Sequence, residues 1–233
     1  MLVVISIIAL LIGILLPALG KAREESWKIK CMTNLRGLGT SMQLYFNDSD
    51  GVLPWVDPIA GADENQNSTD LFEVFAAYID ATPPRREIRG DETSPWIVQD
   101  PYRCPADKIP LDDDNNDSRT AQETYGTSYA APWSEIYVAL ELFGAIDTGN
   151  SDERIAAAER WKGQRAVSRA YDHYATRGKK LAVMLDFVEV HPAKSGKNAL
   201  FWDSSVDIYP GDPPTEFVED FIALTLKLCN FGG

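Results

Sequence analysis

The densest run of oxygen ligands in the sequence is Leu111–Ser118. Asp112, Asp114 and Asn116 alternate there as the ligands of a calcium loop do, and Glu123 stands at the twelfth place, where such a loop puts its bidentate glutamate. Asp117 occupies the position that needs glycine, and Arg119 the position of the usual apolar anchor. A solvated acidic loop is the plainer reading, and calcium is carried as a candidate cofactor on those four residues alone. Asp172 and His173 are neighbours in Tyr171–Tyr174, but sequence neighbours rarely form a relay, and no Gly-x-Ser-x-Gly motif accompanies them. Lys194, Ser195 and Gly196 lack a second matching element, so no catalytic residue is assigned. His191 precedes Pro192, and Asp186, Glu189 and Asp203 are its candidate carboxylate partners. Trp96, Trp133, Trp161 and Trp202 are too scattered for a sugar platform and read as core.

Composition bounds what these residues serve. The chain has 233 residues, 45% apolar and 24% charged, an ordinary globular balance with enough length for a sizeable core. Its net charge of −13 argues against nucleic acid and anionic lipid as partners. Two histidines leave little room for a histidine-rich metal site, and three cysteines are too few for a disulfide scaffold.

The elements that must position everything else begin with an anomaly. Met1–Gly20 carry no charged side chain. Leu2, Val3, Val4, Ile5, Ile7, Ile8, Leu10, Leu11, Ile12, Ile14, Leu15, Leu16 and Pro17 form a run apolar on every side, near the length that spans a bilayer as a helix. A cleaved signal peptide would carry a basic front, absent here, and a small-residue cleavage site, for which Pro17-Ala-Leu-Gly20 is a poor match. A buried core helix is seldom apolar all round for so long. Lys21 and Arg23 are the first charges, with Glu24 and Glu25 beside them. Read literally, the positive-inside rule leaves the acidic body in the cytoplasm, unless a basic leader precedes Met1.

Beyond Gly20 the pattern changes but does not stop. Trp27, Cys31, Leu35, Leu38, Met42 and Tyr45 recur at intervals of 4, 4, 3, 4 and 3, with Lys28, Lys30, Arg36 and Gln43 opposite. That spacing predicts one helix over 2–47, roughly 70 Å long, kinked or loosened at Pro17 and ended by Asn47–Gly51. The chain divides accordingly into a transmembrane or filament-core half-helix (1–20), an amphipathic half-helix (21–47) and a globular head (48–233). In the head, periodicity predicts a helix over 69–81, another over 133–143 and a charged helix from a capping-box start at 150–153 to about Tyr171. It predicts a strand over 181–186, a hairpin of 198–202 with 206–209, and a closing helix bearing Phe217, Phe221, Leu224 and Leu228.

The run Leu2–Ala22, with Pro17 near its end, resembles the N-terminus of bacterial type IV pilin-like proteins and pseudopilins. Cys31-Met-Thr-Asn34-Leu35, Asp50-Gly51-Val-Leu-Pro54, Cys104-Pro105-Ala-Asp107 and Thr127-Ser-Tyr129-Ala resemble further landmarks of the large-headed members. So does His191 followed by Asn198-Ala-Leu200-Phe201-Trp-Asp203, although Ser204 and Ser205 replace the usual glycine and histidine.

The resemblance implies an α+β pilin-like fold, a long N-terminal helix packed on a head with a small antiparallel sheet and extra helices. It implies a structural filament subunit rather than an enzyme, for a type IV pilus or type II secretion pseudopilus. The subunit would be held as a single pass in the inner membrane, with its head in the periplasm or on a surface filament. Its partners would be copies of itself or related pilin-like subunits, the assembly machinery and, for a full-length form, the prepilin peptidase. The family's leader, methylated phenylalanine and glutamate have no counterpart in this sequence, so a chain starting at Met1 is expected to assemble poorly. A membrane-anchored extracytoplasmic enzyme or carbohydrate-binding module is the competing reading. An extracytoplasmic head would permit one disulfide, Cys31–Cys104 with Cys229 left over. Three buried thiols are the equal alternative.

Overall fold

The computed structural model of the chain describes residues 2–56, 71–87, 94–108, 110, 119–186, 196–209 and 215–231. The fold is α+β, dominated by helix α1, Leu2–Asp48. The helix runs through Pro17 without interruption, where the sequence predicts a kink or a loosening. The proline removes one N–H of the ladder in a segment whose apolar side chains otherwise favour helix throughout. It ends at Ser49–Gly51, where Asp50 and Gly51 both take positive φ and the Gly51 N–H donates back to the Phe46 carbonyl at 2.9 Å.

The two halves of α1 live in different surroundings. From Val3 to Leu19 the large apolar side chains are 49–72% exposed. From Cys31 onward one stripe (Cys31, Leu35, Leu38 and Met42) is wholly buried in the head. That stripe is the middle of the one the 4-3 spacing predicts, whose ends Trp27 and Tyr45 are partly buried, and Leu35, Leu38 and Met42 each contribute roughly 1.5–3 kcal/mol by leaving water.

The stripe packs on a four-stranded antiparallel sheet, β3 (Tyr129–Ala130), β4 (Ala182–Asp186), β5 (Lys197–Phe201) and β6 (Val206–Tyr209), arranged in chain order. Central β5 is buried from Asn198 to Phe201. Gly39 lets the helix close on it: a Cβ there would lie 2.7 Å from a methyl of Leu200. The β5–β6 hairpin turns through Ser204, a non-glycine residue at φ 64°. The Ser204 hydroxyl accepts from the Gln43 side-chain amide at 2.6 Å, which ties the turn to α1.

Around this lie α4 (Pro132–Leu142), α5 (Glu153–Ala175) and α6 (Thr215–Phe231). The α5 N-cap is Asp152, whose carboxylate accepts the Arg154 N–H at 2.9 Å, two residues beyond the predicted start of the capping motif. Helix α5 continues to Ala175, past the predicted end at Tyr171. Two of its buried polar side chains grip the segment that leaves α1: Ser168 Oγ accepts the Leu53 N–H, and Gln164 donates to the Leu53 carbonyl, both at 2.8 Å. The helix predicted over 69–81 is regular only as α2, Leu71–Ala76, and gives way to turns. A small hairpin, β1 (Arg85–Arg86) with β2 (Trp96–Ile97), and a five-residue helix α3 (Ala121–Tyr125) complete the described elements. The strands β1, β2 and β3 have two residues each, too few to show a period of two in sequence.

Candidate functional site

Two features stand out for function: the bare half of α1 and the junction that fastens the other half to the head. The first is chemically simple. Twelve large aliphatic side chains between Val3 and Leu19 project from all sides of one helix and touch nothing in the head. Ile12, Leu15, Leu16, Ala18, Leu19 and Ala22 line a shallow apolar groove along it. At 1.5 Å per residue, Leu2–Gly20 rises about 28 Å, close to the ~30 Å thickness of a hydrocarbon core. This helix is long and apolar enough to cross a membrane. Left in water, the twelve side chains would cost on the order of 20 kcal/mol, more than the whole stability of a typical domain.

The junction gathers residues from four sequence-distant segments. Cys31 of α1 and Cys104 are joined by a disulfide, with their Cα atoms 4.9 Å apart, while Cys229 is a buried thiol. Three residues on, Asn34 donates its side-chain amide to the Arg103 carbonyl at 2.7 Å. The Tyr129 hydroxyl, on β3, donates toward the carbonyls of Cys31 and Arg103 at 3.4 and 3.3 Å. Lys30 pairs with Asp100 at 3.0 Å, and Asp100 also receives Arg103 at 3.3 Å. Burial pushes the Asp100 carboxyl up, but its bonds to Lys30 and Arg103 outweigh that and hold it below the ordinary range.

Two carboxylates of the head, Asp107 and Asp186, are buried. Asp107 accepts the Ser128 hydroxyl at 2.7 Å and the Gln122 N–H at 3.0 Å. Asp186, on β4 opposite Tyr129, accepts both the backbone and side-chain N–H of Asn198 at 2.9 Å. Burial drives both acids up, Asp186 to about 7; each also feels a neighbouring acid, Asp186 the Asp107 charge and Asp107 that of Glu123. Spacing alone pointed to neither the Asp186–Asn198 pair nor its coupling to Asp107. The strand register that joins β3, β4 and β5 creates them.

The remaining candidates are dispersed. Glu123 lies in the first turn of α3 and closes its capping box, with its carboxylate accepting the Thr120 N–H at 2.9 Å and hydroxyl at 3.0 Å. Asp112, Asp114 and Asn116 lie outside the described residues, as do Glu189, His191, Lys194 and Ser195. Asp172 is taken by the Trp202 indole N–H at 2.8 Å, while the His173 ring stands edge-on to Tyr174. That is not a relay geometry. Trp133 is wholly buried, Trp96 covers Gly126 beneath Arg86, Trp202 packs between Phe46 and Tyr171, and Trp161 is partly exposed. The four tryptophans do not share a face. No family model matches this chain, and neither a curated protein nor a solved structure is significantly similar to it.

Proposed function

We propose that this chain is a structural subunit of a type IV pilus-like or type II secretion pseudopilus filament. Its stem first holds it in the inner membrane with the head in the periplasm. The stem then leaves lipid and packs against the stems of sister subunits. The observation that supports this most strongly is the continuity of α1. A rod with twelve large aliphatic side chains exposed on every side runs, without a break, into a stripe locked under the head. An anchor alone needs no rigid continuation. A filament subunit does, because the stem has to carry the head with it in fixed orientation. The exchange of lipid for protein is thermodynamically modest, since the apolar surface stays out of water in both states and packing decides between them. The Cys31–Cys104 bridge, Asn34 and Tyr129 would transmit load from stem to head.

Cross-linking in the cells that make the protein, with the gene left in its chromosomal context so that any coding sequence upstream of Met1 is retained, tests this. Leu10→Cys with Leu15→Cys places thiols on roughly opposite sides of the stem, in a Cys229→Ser background where the remaining native cysteines are bridged. The expected product of mild oxidation is a ladder of dimers, trimers and higher species. A chain that remains monomeric at this and neighbouring stem positions contradicts the proposal and favours a plain tether.

A further inference from the structure

The whole-chain charge of −13 opposes an anionic surface, but its distribution does not. Residues 21–36 carry five cations against two anions, whereas 37–233 carry seventeen against thirty-three. The positive segment sits directly above the bare stem. If Leu2–Gly20 fills the hydrocarbon, the next two turns, Lys21–Trp27, rise about 9 Å into a headgroup layer roughly 5–8 Å deep.

Flanking lysines are common beside any spanning helix; here the head contributes as well. Two cations meet the Trp27 indole, the Arg23 guanidinium 4.8 Å from its ring centroid and the Lys108 ammonium 4.3 Å away. Lys108 comes from the head, four residues past Cys104, and the disulfide and the Asn34–Arg103 bond bring it down to this level. Arg23, Trp27 and Lys30 fall at i, i+4 and i+7, on one side of the helix. Among the described residues of the head, Asp100 is the acid paired at this level, and it is already matched by Lys30 and Arg103; Asp112, Asp113, Asp114 and Asp117, which follow Lys108 in sequence, lie outside the described residues. Glu25 lies about 200° round the helix from Arg23, while Glu24, about 100° from Arg23 and i, i+3 to Trp27, flanks the cationic face at its edge. Arg23 and Lys108 are exposed and Trp27 is half-buried.

We propose that Arg23, Trp27 and Lys108 form a seat for anionic phospholipid headgroups, so that the membrane-held subunit rests its head on the lipid surface through the Cys104 loop. Arginine and lysine bind phosphate oxygens while an indole favours the same interfacial layer, so one face satisfies both. The inference rests on the stem spanning the membrane, and it adds a lipid class and a head contact to that reading.

The test uses the full chain reconstituted in vesicles of phosphatidylcholine, or of two parts phosphatidylcholine to one part phosphatidylglycerol. Modification of Lys108 by an uncharged, water-soluble amine reagent is followed by mass spectrometry, with exposed Lys227 as internal reference. Phosphatidylglycerol is expected to slow Lys108 relative to Lys227 by about fivefold, the scale of one basic side chain at an anionic surface. High salt should relieve the effect. Arg23→Gln should weaken it while the Cys31–Cys104 bridge, read in the same spectra, stays formed. An unchanged Lys108:Lys227 ratio between the two vesicles overturns the seat and leaves the spanning stem intact. A chain that floats with neither vesicle overturns the spanning stem and the seat together.

Discussion

Ser204 ties the head to its helix, and Asp186 ties one strand of the head to the next. Ser204 occupies a left-handed conformation that favours glycine, at a cost of about 1 kcal/mol, and recovers a similar amount through its bond to Gln43. Ser204→Gly relieves the strain and loses the bond, so its unfolding midpoint in denaturant should stay close to wild type. Ser204→Ala keeps the strain without the bond and should lose about 1 kcal/mol. Asp186 makes a pH-dependent contribution of the opposite sign to a salt-bridged acid. In the unfolded chain an aspartate titrates near ~4; in the fold it is raised to about 7, chiefly by burial. Between those values the folded form holds a proton that the unfolded chain has released. Its contribution is therefore full below the unfolded value, declines as pH rises, and is lost above about 7. Denaturation of the chain in detergent from pH 5 to pH 8 should show this decline. Asp186→Asn should flatten it and gain roughly 1–3 kcal/mol at the alkaline end; a profile unchanged by the substitution would mean that Asp186 is ionised in the fold throughout.

Helix α1 separates membrane retention from head stability, because its two halves share a backbone but no packing environment. Leu11→Asp, at the middle of the bare half, should leave the melting of the head unchanged in detergent. It should cost about 3 kcal/mol of membrane insertion, visible as a smaller membrane-bound fraction. Leu38→Asp should do the reverse, since Leu38 is wholly buried in the head. The bridge couples the halves to the fold: it closes a 73-residue separation, and Cys104→Ser should destabilise the head by about 4 kcal/mol in equilibrium unfolding.

These elements were unevenly legible in the sequence. The bounds of α1, the helix Pro132–Leu142 and the hairpin around Ser204 follow from apolar periodicity, turn residues and length, which are local properties. The short strand Tyr129–Ala130 does not, because it exists only by pairing with Leu185 and Asp186. The junction is non-local for the same reason. Its residues come from four segments far apart in the chain, Cys31 with Asn34, Arg103 with Asp107, Ser128, and Asp186, and register and the disulfide bring them together. The predicted helix over 69–81 shortens to Leu71–Ala76, with Leu71 and Phe75 buried and turns following. A 4-3 spacing marks which side chains go inward without fixing how far the helix extends.

At the scale of the whole molecule the charges are segregated, with an acidic head, a basic collar and an uncharged stem. Such a molecule cannot be at ease wholly in water or wholly in lipid. Its stem needs an apolar solvent, which lipid and a bundle of identical stems both provide. In the proposed filament subunit the same side chains therefore change one dry environment for another. Spin labels at Ile8 and Leu15, measured first in the membrane-held protein and then in isolated filaments, test it most directly. In the membrane, oxygen, which dissolves in lipid, should relax both labels strongly. In the filament, oxygen should relax them weakly, and a water-soluble nickel chelate should relax them weakly in both states. Labels that meet the chelate in either state, or that stay as open to oxygen in the filament as in the membrane, would contradict it.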